Sequence, residues 1–220
     1  LKRTAYSPNI KERRDYSCAV FDHQGEIVAM GDHMPVHLGS MRLSVQFAIS
    51  SFPMRPGDIV FLNDPYSGGT HLPDIYVFKP VFYGDELLGY AAAIGHQTDI
   101  GGRVAGGNAC DNTEIYQEGV RIPPIRIFEN DKPNEVFFKL MRANVRVSHK
   151  VLGDINSQIA ACRRGERGFL ELVERYGFEN LKAQMNDLLD YSEELTRAEL
   201  LSLPDGEWEF EDFMDDDGFQ

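Results

Sequence analysis

Residues 63–102 read NDPYSGGTHLPDIYVFKPVFYGDELLGYAAAIGHQTDIGG. Two apolar runs in this segment, Ile75 to Phe82 and Leu87 to Ile94, are rich in aromatic and β-branched residues. Between them stands Gly84-Asp85, a pair suited to a tight turn of the II′ type. The two runs are therefore predicted to pair as antiparallel strands.

Polar side chains stand at the outer ends of this predicted hairpin. A regular register counted from the turn leaves Asp74 one residue out of step with His96. Pro80 cannot donate to the strand ladder, so a β-bulge near it would bring Asp74 level with His96. In either register the hairpin closes His71, Asp74 and His96 together, because neighbouring strands lie about 4.8 Å apart.

Two imidazoles and a carboxylate that converge in this way predict a metal site. The set contains no cysteine, which favours Zn, Mn or Fe(II) over a structural thiolate site. Asp64 and Asp99 lie in the same loops and could act as a further ligand, as the base that takes a proton from bound water, or as a support for the ligands. They could equally be turn formers, and the histidines ordinary polar loop residues.

A second hairpin is predicted around the turn-forming cluster Asp22 to Gly25, with strands from Asp15 to Phe21 and from Glu26 to Gly31. By the same geometry, the polar groups at its open end should converge at one edge of the sheet. These groups are Glu12, Asp15, Asp32 and His33.

Ser40 is expected to cap a helix from Met41 to Phe52, which Pro53 ends. His37 precedes that helix, where the positive end of the helix dipole disfavours the imidazolium and favours an anion nearby. As a catalytic residue His37 could hold a substrate carboxylate or donate a proton. It could also simply pack in the turn around Pro35.

The hydrophobic period changes near residue 133, and we predict a mixed α+β fold. Residues 1–132 would form a β-rich domain that carries the site, 133–203 a helical segment, and 204–220 the start of a further β region around Trp208 and Phe210. The remaining predicted strands are Ile59 to Leu62 and Arg121 to Phe128. The predicted helices of the second half are Asn134 to Asn144, His149 to Tyr176 and Phe178 to Leu201.

Composition narrows the function of the chain. A hydrophobic fraction of 42% over 220 residues is ordinary for a globular protein, and the net charge of -13 argues against a nucleic-acid or anionic-membrane surface. Three cysteines without CxxC spacing favour a reducing cytoplasm, and no apolar run reaches the roughly 20 residues of a membrane helix. No GxxxxGK[ST] or GxGxxG occurs, so the chain is not expected to bind ATP by itself. The absence of GxSxG argues against a serine nucleophile of the hydrolase-elbow type.

Five segments together are highly specific: TAYSPNIKERRDYSCAVFD, HMPVHLGSM, PGDIVFLNDPYSGGTHLPD, GHQTDIGG and TEIYQEGVRIPP. In this order they resemble the hydantoinase B family, the B subunits of N-methylhydantoinases and oxoprolinases, which are related to the large subunits of acetone and acetophenone carboxylases. Members of that family are more than twice as long. We therefore expect the chain to be an N-terminal fragment of a larger subunit.

The resemblance implies an enzyme subunit in a hetero-oligomer with a hydantoinase A type partner. That partner would use ATP to activate a lactam, hydantoin or ketone as a phosphorylated intermediate, and the B-type subunit would complete the reaction at a metal, Zn or Mn and less readily Fe. The carboxylase relatives imply the ligand set Glu12, His71, Asp74 and His96.

Several functions remain open on the sequence alone. The first is ATP-dependent ring opening of hydantoin, N-methylhydantoin or oxoproline, and the second is ATP-dependent carboxylation of a ketone. Two histidines and one carboxylate could also form the iron site of a non-haem Fe(II) oxygenase. A scaffold fragment without activity of its own is the remaining alternative.

Overall fold

The computed structural model describes residues 1–31 and 34–213. Within them the strands are β1 (Tyr16–Asp22), β2 (Ile27–Met30), β3 (Ile59–Leu62), β4 (Asp74–Tyr83), β5 (Glu86–His96), β6 (Ile125–Glu129) and β7 (Lys132–Pro133). All seven form one sheet in the order β2-β1-β5-β4-β3-β6-β7, and every neighbouring pair is antiparallel. Both predicted hairpins are present in this sheet.

The α-helices of the described residues are α1 (Pro8–Lys11), α2 (Val36–Ser51), α3 (Glu135–Asn144), α4 (Ser148–Tyr176) and α5 (Phe178–Ser202). Short 3-10 turns occur at Pro65–Ser67 and Ile115–Gln117. The mixed α+β fold is thereby confirmed, with the three long helices of the second half within a few residues of their predicted bounds. In the part of the chain that the structure covers, no helix is both long and apolar enough to cross a membrane.

The central hairpin contains the β-bulge that its sequence predicts. Tyr83 pairs with Glu86 at the turn, and the register shifts between Val81 and Phe82. From the shift to the outer end, the pairing is regular and places Asp74 directly opposite His96. The bulge therefore decides which side chains meet at the edge of the sheet, because one residue of slip would turn every later side chain to the other face.

Both faces of the central strands are covered. Ile75 and Val77 of β4 pack in the core between the sheet and α4, whereas Tyr76 and Phe78 pack in the core on the α2 side. A strand covered on both faces needs apolar residues at every position, which explains its continuous apolar run. The exception, Lys79, is buried and its Nζ lies 3.1 Å from Oε1 of Glu166 on α4.

Helix α4 also fixes the N-terminal segment of the chain. The buried Asp154 carboxylate accepts hydrogen bonds from the backbone N–H groups of Tyr6, at 2.6 Å, and Ser7, at 3.1 Å. One turn further, the Gln158 amide donates to the backbone oxygens of Ile75 and Ala93. These buried bonds hold the segment that leads into β1 against the sheet, which determines where residues 12–15 lie.

Helix α2 begins five residues earlier than its sequence suggested. It starts at Val36, and Ser40 is inside the helix rather than its cap. Pro35 stands at the N-cap position with φ -57°, a value compatible with a helix start. His37 consequently lies in the first turn of α2, not ahead of the helix.

Two predicted features fall partly or wholly outside the described residues. Asp32 and His33, expected at the open end of the first hairpin, are outside them. Residues 204–213 contain no strand, and Trp208 and Phe210 are exposed. The further β region at 204–220 therefore stays a prediction.

Gly89 offers a test of the close approach of β1 and β5. A Cβ at this position would lie 2.0 Å from the backbone oxygen of Phe21 on β1, so Gly89→Ala should lower the free energy of unfolding by about 1–3 kcal/mol or more. Gly39→Ala is the matched control, because a Cβ at this exposed position of α2 meets nothing within 4 Å. It should be neutral or stabilise by up to about 1 kcal/mol. Urea denaturation of both variants measures the difference, and equal stability of the two would contradict the close β1–β5 packing.

Candidate functional site

Three side chains meet at the outer end of the central hairpin. His71 Nε2 lies 3.2 Å from Asp74 Oδ2, and His96 Nδ1 lies 3.4 Å from Asp74 Oδ1. The same two imidazole nitrogens are 3.1 Å apart. Each of the three residues thus offers a ligand atom within 4.8 Å of the others.

Backbone pairing fixes this geometry. Asp74 and His96 face each other across β4 and β5. The turn before β4 is closed by a hydrogen bond from Asp74 N to His71 O, at 3.0 Å, and the residue after His96 donates to Pro73 O, at 2.8 Å. The convergence of His71, Asp74 and His96 agrees with the geometry expected from the hairpin.

Asp15 and His37 complete the surroundings of the Asp74 carboxylate. His37 Nε2 lies 3.7 Å from Asp74 Oδ2, and its Nδ1 lies 2.9 Å from the Ser17 hydroxyl. Asp15 Oδ2 lies 3.8 Å from His96 Nδ1, and Asp15, His37 and Asp74 form a second group of candidate ligands. Asp15 reaches this place because β1 pairs with β5 and because its backbone oxygen accepts from His96 N, at 3.0 Å.

The Asp74 carboxylate is buried and charged. Burial alone would raise its pKa, but the imidazoles of His37, His71 and His96 outweigh that effect and lower the pKa well below its usual range. The hydrogen bond to Asp74 in turn raises the pKa of His71, although burial opposes the rise. Around neutral pH the cluster therefore contains a carboxylate anion surrounded by nitrogen atoms.

A series of hydrogen-bonded hydroxyl groups leads to this carboxylate. Thr70 Oγ1 donates to Asp74 Oδ2 at 2.5 Å, and the buried Tyr76 hydroxyl lies 3.3 Å from Thr70 Oγ1 and 3.0 Å from Ser40 Oγ. Ser40 thus connects helix α2 to the cluster instead of capping the helix. Asp74 Oδ1 is buried and accepts no hydrogen bond of normal geometry from residues 1–31 and 34–213, although His96 Nδ1 lies 3.4 Å away.

The cluster forms the floor of a cavity of about 470 Å³. A volume of this size is suited to a small molecule. Its walls come from the segment before β1, the start of α2, the outer ends of β4 and β5, and the loop after β5. The lining residues are Arg13, Asp15, Met34, Val36, His37, Thr70, His71, Asp74, His96 and Asn108.

Glu12 is not placed with the other predicted ligands. It follows the single turn of α1, is exposed, and belongs to neither group of candidate ligands in the described part of the chain. Asp15, three residues later, is the acidic side chain of this segment that the structure brings to His96. The first hairpin had indicated both residues, and only the pairing of β1 with β5 distinguishes them.

Asp64 and Asp99 do not line the cavity. Asp64 caps the 3-10 turn at Pro65–Ser67, where its carboxylate accepts from Tyr66 N and the Ser67 hydroxyl. Asp99 accepts from Gly101 N and Gly106 N and forms a 2.9 Å ion pair with Arg146. The geometry thus shows them as turn-forming residues and lends no support to the catalytic role predicted for them.

The fold and the site define an α+β chain with a histidine–carboxylate cavity at the edge of its sheet. All of residues 1–220 match the family model for hydantoinase B/oxoprolinase, so the chain belongs to that family. The predicted family resemblance is confirmed.

Similar proteins agree with this assignment. The chain is 42% identical over 205 residues to an uncharacterised protein of Methanocaldococcus jannaschii, covering 91% of this chain and 36% of that protein. It is 37% identical over 220 residues to the caprolactamase subunit beta of Pseudomonas jessenii, covering 99% of this chain and 38% of the subunit. The chain thus spans well under half the length of these relatives.

Two solved structures share the fold. The crystal structure of the ATP-dependent caprolactamase from Pseudomonas jessenii superposes with a TM-score of 0.89 at 38% identity, over 94% of this chain and 36% of that chain. A nucleotide-free acetone carboxylase superposes with a TM-score of 0.78 at 22% identity, over 82% of this chain and 24% of that chain. At that identity the second match shows a common fold only.

The Asp99 contacts predict a pH-dependent contribution to stability. Burial would raise the pKa of Asp99, but hydrogen bonds from Arg146, Gly101 and Gly106 lower it overall. The stabilisation is therefore present above the unfolded carboxyl pKa of about 4 and is lost as the pH falls through the lower folded value. At pH 7, Asp99→Asn should lower the free energy of unfolding by about 1–3 kcal/mol.

Urea denaturation at pH 7 and near pH 3 measures this effect, and the difference between Asp99→Asn and the parent should shrink at the lower pH. Asp111→Asn is the control, because Asp111 pairs with Arg103 at an exposed position and its loss should change little. A loss of stability in Asp99→Asn that does not vary with pH would contradict the assigned role of the charge.

Proposed function

We propose that this chain is the metal-binding part of a subunit of an ATP-dependent cyclic-amide hydrolase. The observation that carries the proposal is the convergence of His71, Asp74 and His96 at the floor of the cavity. Family membership and the likeness to a caprolactamase subunit support the reaction class.

The donor set fits a divalent cation. Asp74 Oδ1 is a buried anionic oxygen that accepts no hydrogen bond of normal geometry in the described part of the chain, and such an oxygen is costly unless a positive charge compensates it. Two histidine nitrogens face the same carboxylate, and mixed nitrogen and oxygen ligands suit Zn or Mn, with Fe as a less favoured occupant. His71, Asp74 and His96 would hold the ion, with Asp15 as the nearest further carboxylate.

A bound divalent cation would supply Lewis acidity toward an amide or acyl oxygen and would acidify a coordinated water. The chain's own residues prepare the cavity for that chemistry. The Thr70 hydroxyl and the histidines orient the Asp74 carboxylate. His37, with Nδ1 held at the Ser17 hydroxyl, presents Nε2 toward Asp74 and can accept or donate a proton at that atom.

Sequence identity to the relatives distinguishes the competing functions. A ketone carboxylase shares the fold, but the likeness to acetone carboxylase is 22% identical and supports the fold alone. The caprolactamase subunit beta matches this chain with higher identity and coverage than acetone carboxylase does, and its name is that of a cyclic-amide hydrolase. Two histidines and one carboxylate would also suit an Fe(II) oxygenase, and oxygen consumption with an oxo-acid would identify one.

We further propose that the subunit acts in a hetero-oligomer with an ATP-binding partner of the hydantoinase A type. The relative's designation as a subunit beta supports a complex. The decisive assay combines the full-length polypeptide and its partner with a lactam, a hydantoin and a ketone. ATP-dependent ring opening without bicarbonate would support the hydrolase, and turnover that requires bicarbonate would replace it with the carboxylase.

The proposed function predicts the metal content of the chain. The chain should bind about one divalent ion. Among the single substitutions, Asp74→Asn should weaken binding most, because it keeps the shape of the side chain but removes the negative charge of the ligand set. His71→Ala and His96→Ala should also lose metal, whereas His37→Gln should retain it and reduce turnover in the complex. Elemental analysis after reconstitution measures the content, and melting temperature checks folding.

Asp64→Asn and Asp99→Asn are the matched carboxylate controls, since both lie outside the cavity lining. They should bind metal like the parent. Metal loss in either control together with parental binding by Asp74→Asn would show that the cluster is not the metal site.

The proposed function also predicts how the chain behaves toward nucleotide. Because the chain lacks a phosphate-cradling GxxxxGK[ST] loop, the chain alone should neither bind nor hydrolyse ATP. Calorimetric titration with Mg-ATP measures binding, and the reconstituted complex serves as the positive control. Micromolar binding by the isolated chain would overturn the proposed division of labour between the two subunits.

A further inference from the structure

We propose that Arg13 and Asn108 form an anion-recognition pair in the cavity, which binds a carboxylate or phosphoryl group of the substrate. This inference rests on the proposed function and specifies its substrate class. The pair lies among the lining residues together with the candidate metal ligands. An anionic group held there would lie in the same cavity as the cluster.

Arg13 is the one lysine or arginine among the lining residues that the structure describes. Across residues 1–31 and 34–213, its guanidinium is in none of the ion pairs or side-chain hydrogen bonds, and Arg13 is exposed. Other arginines of the chain, such as Arg42, Arg126 and Arg146, are paired with carboxylates. A planar donor without a partner beside a cavity is suited to bidentate binding of a carboxylate or phosphate.

A turn in the backbone beside Arg13 sets the position of this residue. Arg14 adopts φ 59°, a left-handed conformation that costs an L-residue about 1–2 kcal/mol. This turn lies between Arg13 and Asp15, both of which line the cavity, and Asp15 N donates to Asn9 O at 3.0 Å. The strained residue itself is exposed and is not part of the lining.

Asn108 reaches the cavity from the loop after β5. The preceding Gly107 has φ 79°, and a Cβ there would lie 2.5 Å from the Glu118 oxygen, so the loop backbone packs too closely for another residue. The Asn112 amide also donates to Gly107 O, at 3.0 Å. Asn108 is exposed, and in the described part of the chain its side-chain amide makes no hydrogen bond with another residue, which leaves two donors for a ligand.

Charge favours an anionic ligand at this place. A divalent ion held by the cluster would balance the two carboxylates of the lining, Asp15 and Asp74, and Arg13 would then add a positive charge to the cavity. Because the whole chain carries a net charge of -13, a positive charge in the cavity would favour the entry of an anion there.

Two sources of the anion share this chemistry. One is a carboxylate on the cyclic amide, and the other is the phosphoryl group of an ATP-activated substrate. Kinetics of the complete complex with two lactams, one bearing a ring carboxylate and one unsubstituted, distinguishes them. Arg13→Gln should raise KM for an anion-bearing substrate by about 10- to 100-fold, the scale of one hydrogen bond to a charged group.

An effect on the carboxylated lactam alone identifies the carboxylate as the ligand. A loss of kcat/KM with both lactams, together with weaker product inhibition by inorganic phosphate, identifies the phosphoryl group. Arg14→Gln is the matched control, because it removes the same charge one residue away from the cavity. Asn108→Asp should reproduce the Arg13→Gln effect through repulsion, and metal content should stay at the parental level in all three variants.

Chemical labelling tests the pair without turnover. Inorganic phosphate or acetate should slow modification of Arg13 by phenylglyoxal several-fold in the metal-loaded full-length polypeptide, while Arg14 in the same peptide reacts at an unchanged rate. Asn108→Asp should abolish the protection. Equal rates with and without both anions would overturn the inference.

The two proposals fail in different ways. A parental complex without ATP-dependent ring opening contradicts the proposed hydrolase, and the labelling result then decides on the anion pair by itself. A parental complex that is active, with Arg13→Gln and Arg14→Gln equal to it in KM and kcat for both lactams, overturns the anion pair and leaves the hydrolase in place. Loss of metal in Arg13→Gln would show that Arg13 serves the cluster, which also overturns the inference.

Discussion

The burial of one charged group, the Asp74 carboxylate, is the constraint that the candidate site has to satisfy. Burial raises the pKa of this carboxyl group, whereas the three imidazoles around it lower the pKa and keep the group charged. Those imidazoles come from the turn before β4, the end of β5 and the first turn of α2. Three separate pieces of chain must therefore arrive together before one charged group can be buried.

The doubly covered sheet makes this arrangement possible. Helix α4 packs on one face and α2 on the other, so the central hairpin is rigid up to the edge where the cluster lies. The bulge between Val81 and Phe82 sets which residues face each other at that edge. Rigid strands are better suited than mobile loops to holding ligand atoms at fixed separations. The site is thus a consequence of how the core is built.

The roles of the acidic residues show what a local pattern can and cannot predict. Asp64 and Asp99 stand beside glycine and proline in the sequence, and in the structure they stabilise the turns that such residues form. Their positions close to the histidines in the sequence had suggested a catalytic role. In the structure both carboxylates accept hydrogen bonds within their own turns and lie outside the cavity lining. Sequence proximity to a site and participation in it are different properties.

Local sequence patterns were enough to predict strands β1 to β6, the three helices of the second half, the bulged hairpin and the meeting of His71, Asp74 and His96. These features follow from apolar periodicity and turn chemistry, which act over a few residues. Only the tertiary structure decided that Asp15 rather than Glu12 joins the cluster and that His37 faces Asp74. Those choices depend on β1 pairing with β5 and on α2 packing against the sheet, contacts between segments far apart in the chain. Local patterns carry no information about such pairings, because free energy gained on packing selects them only when the whole core forms.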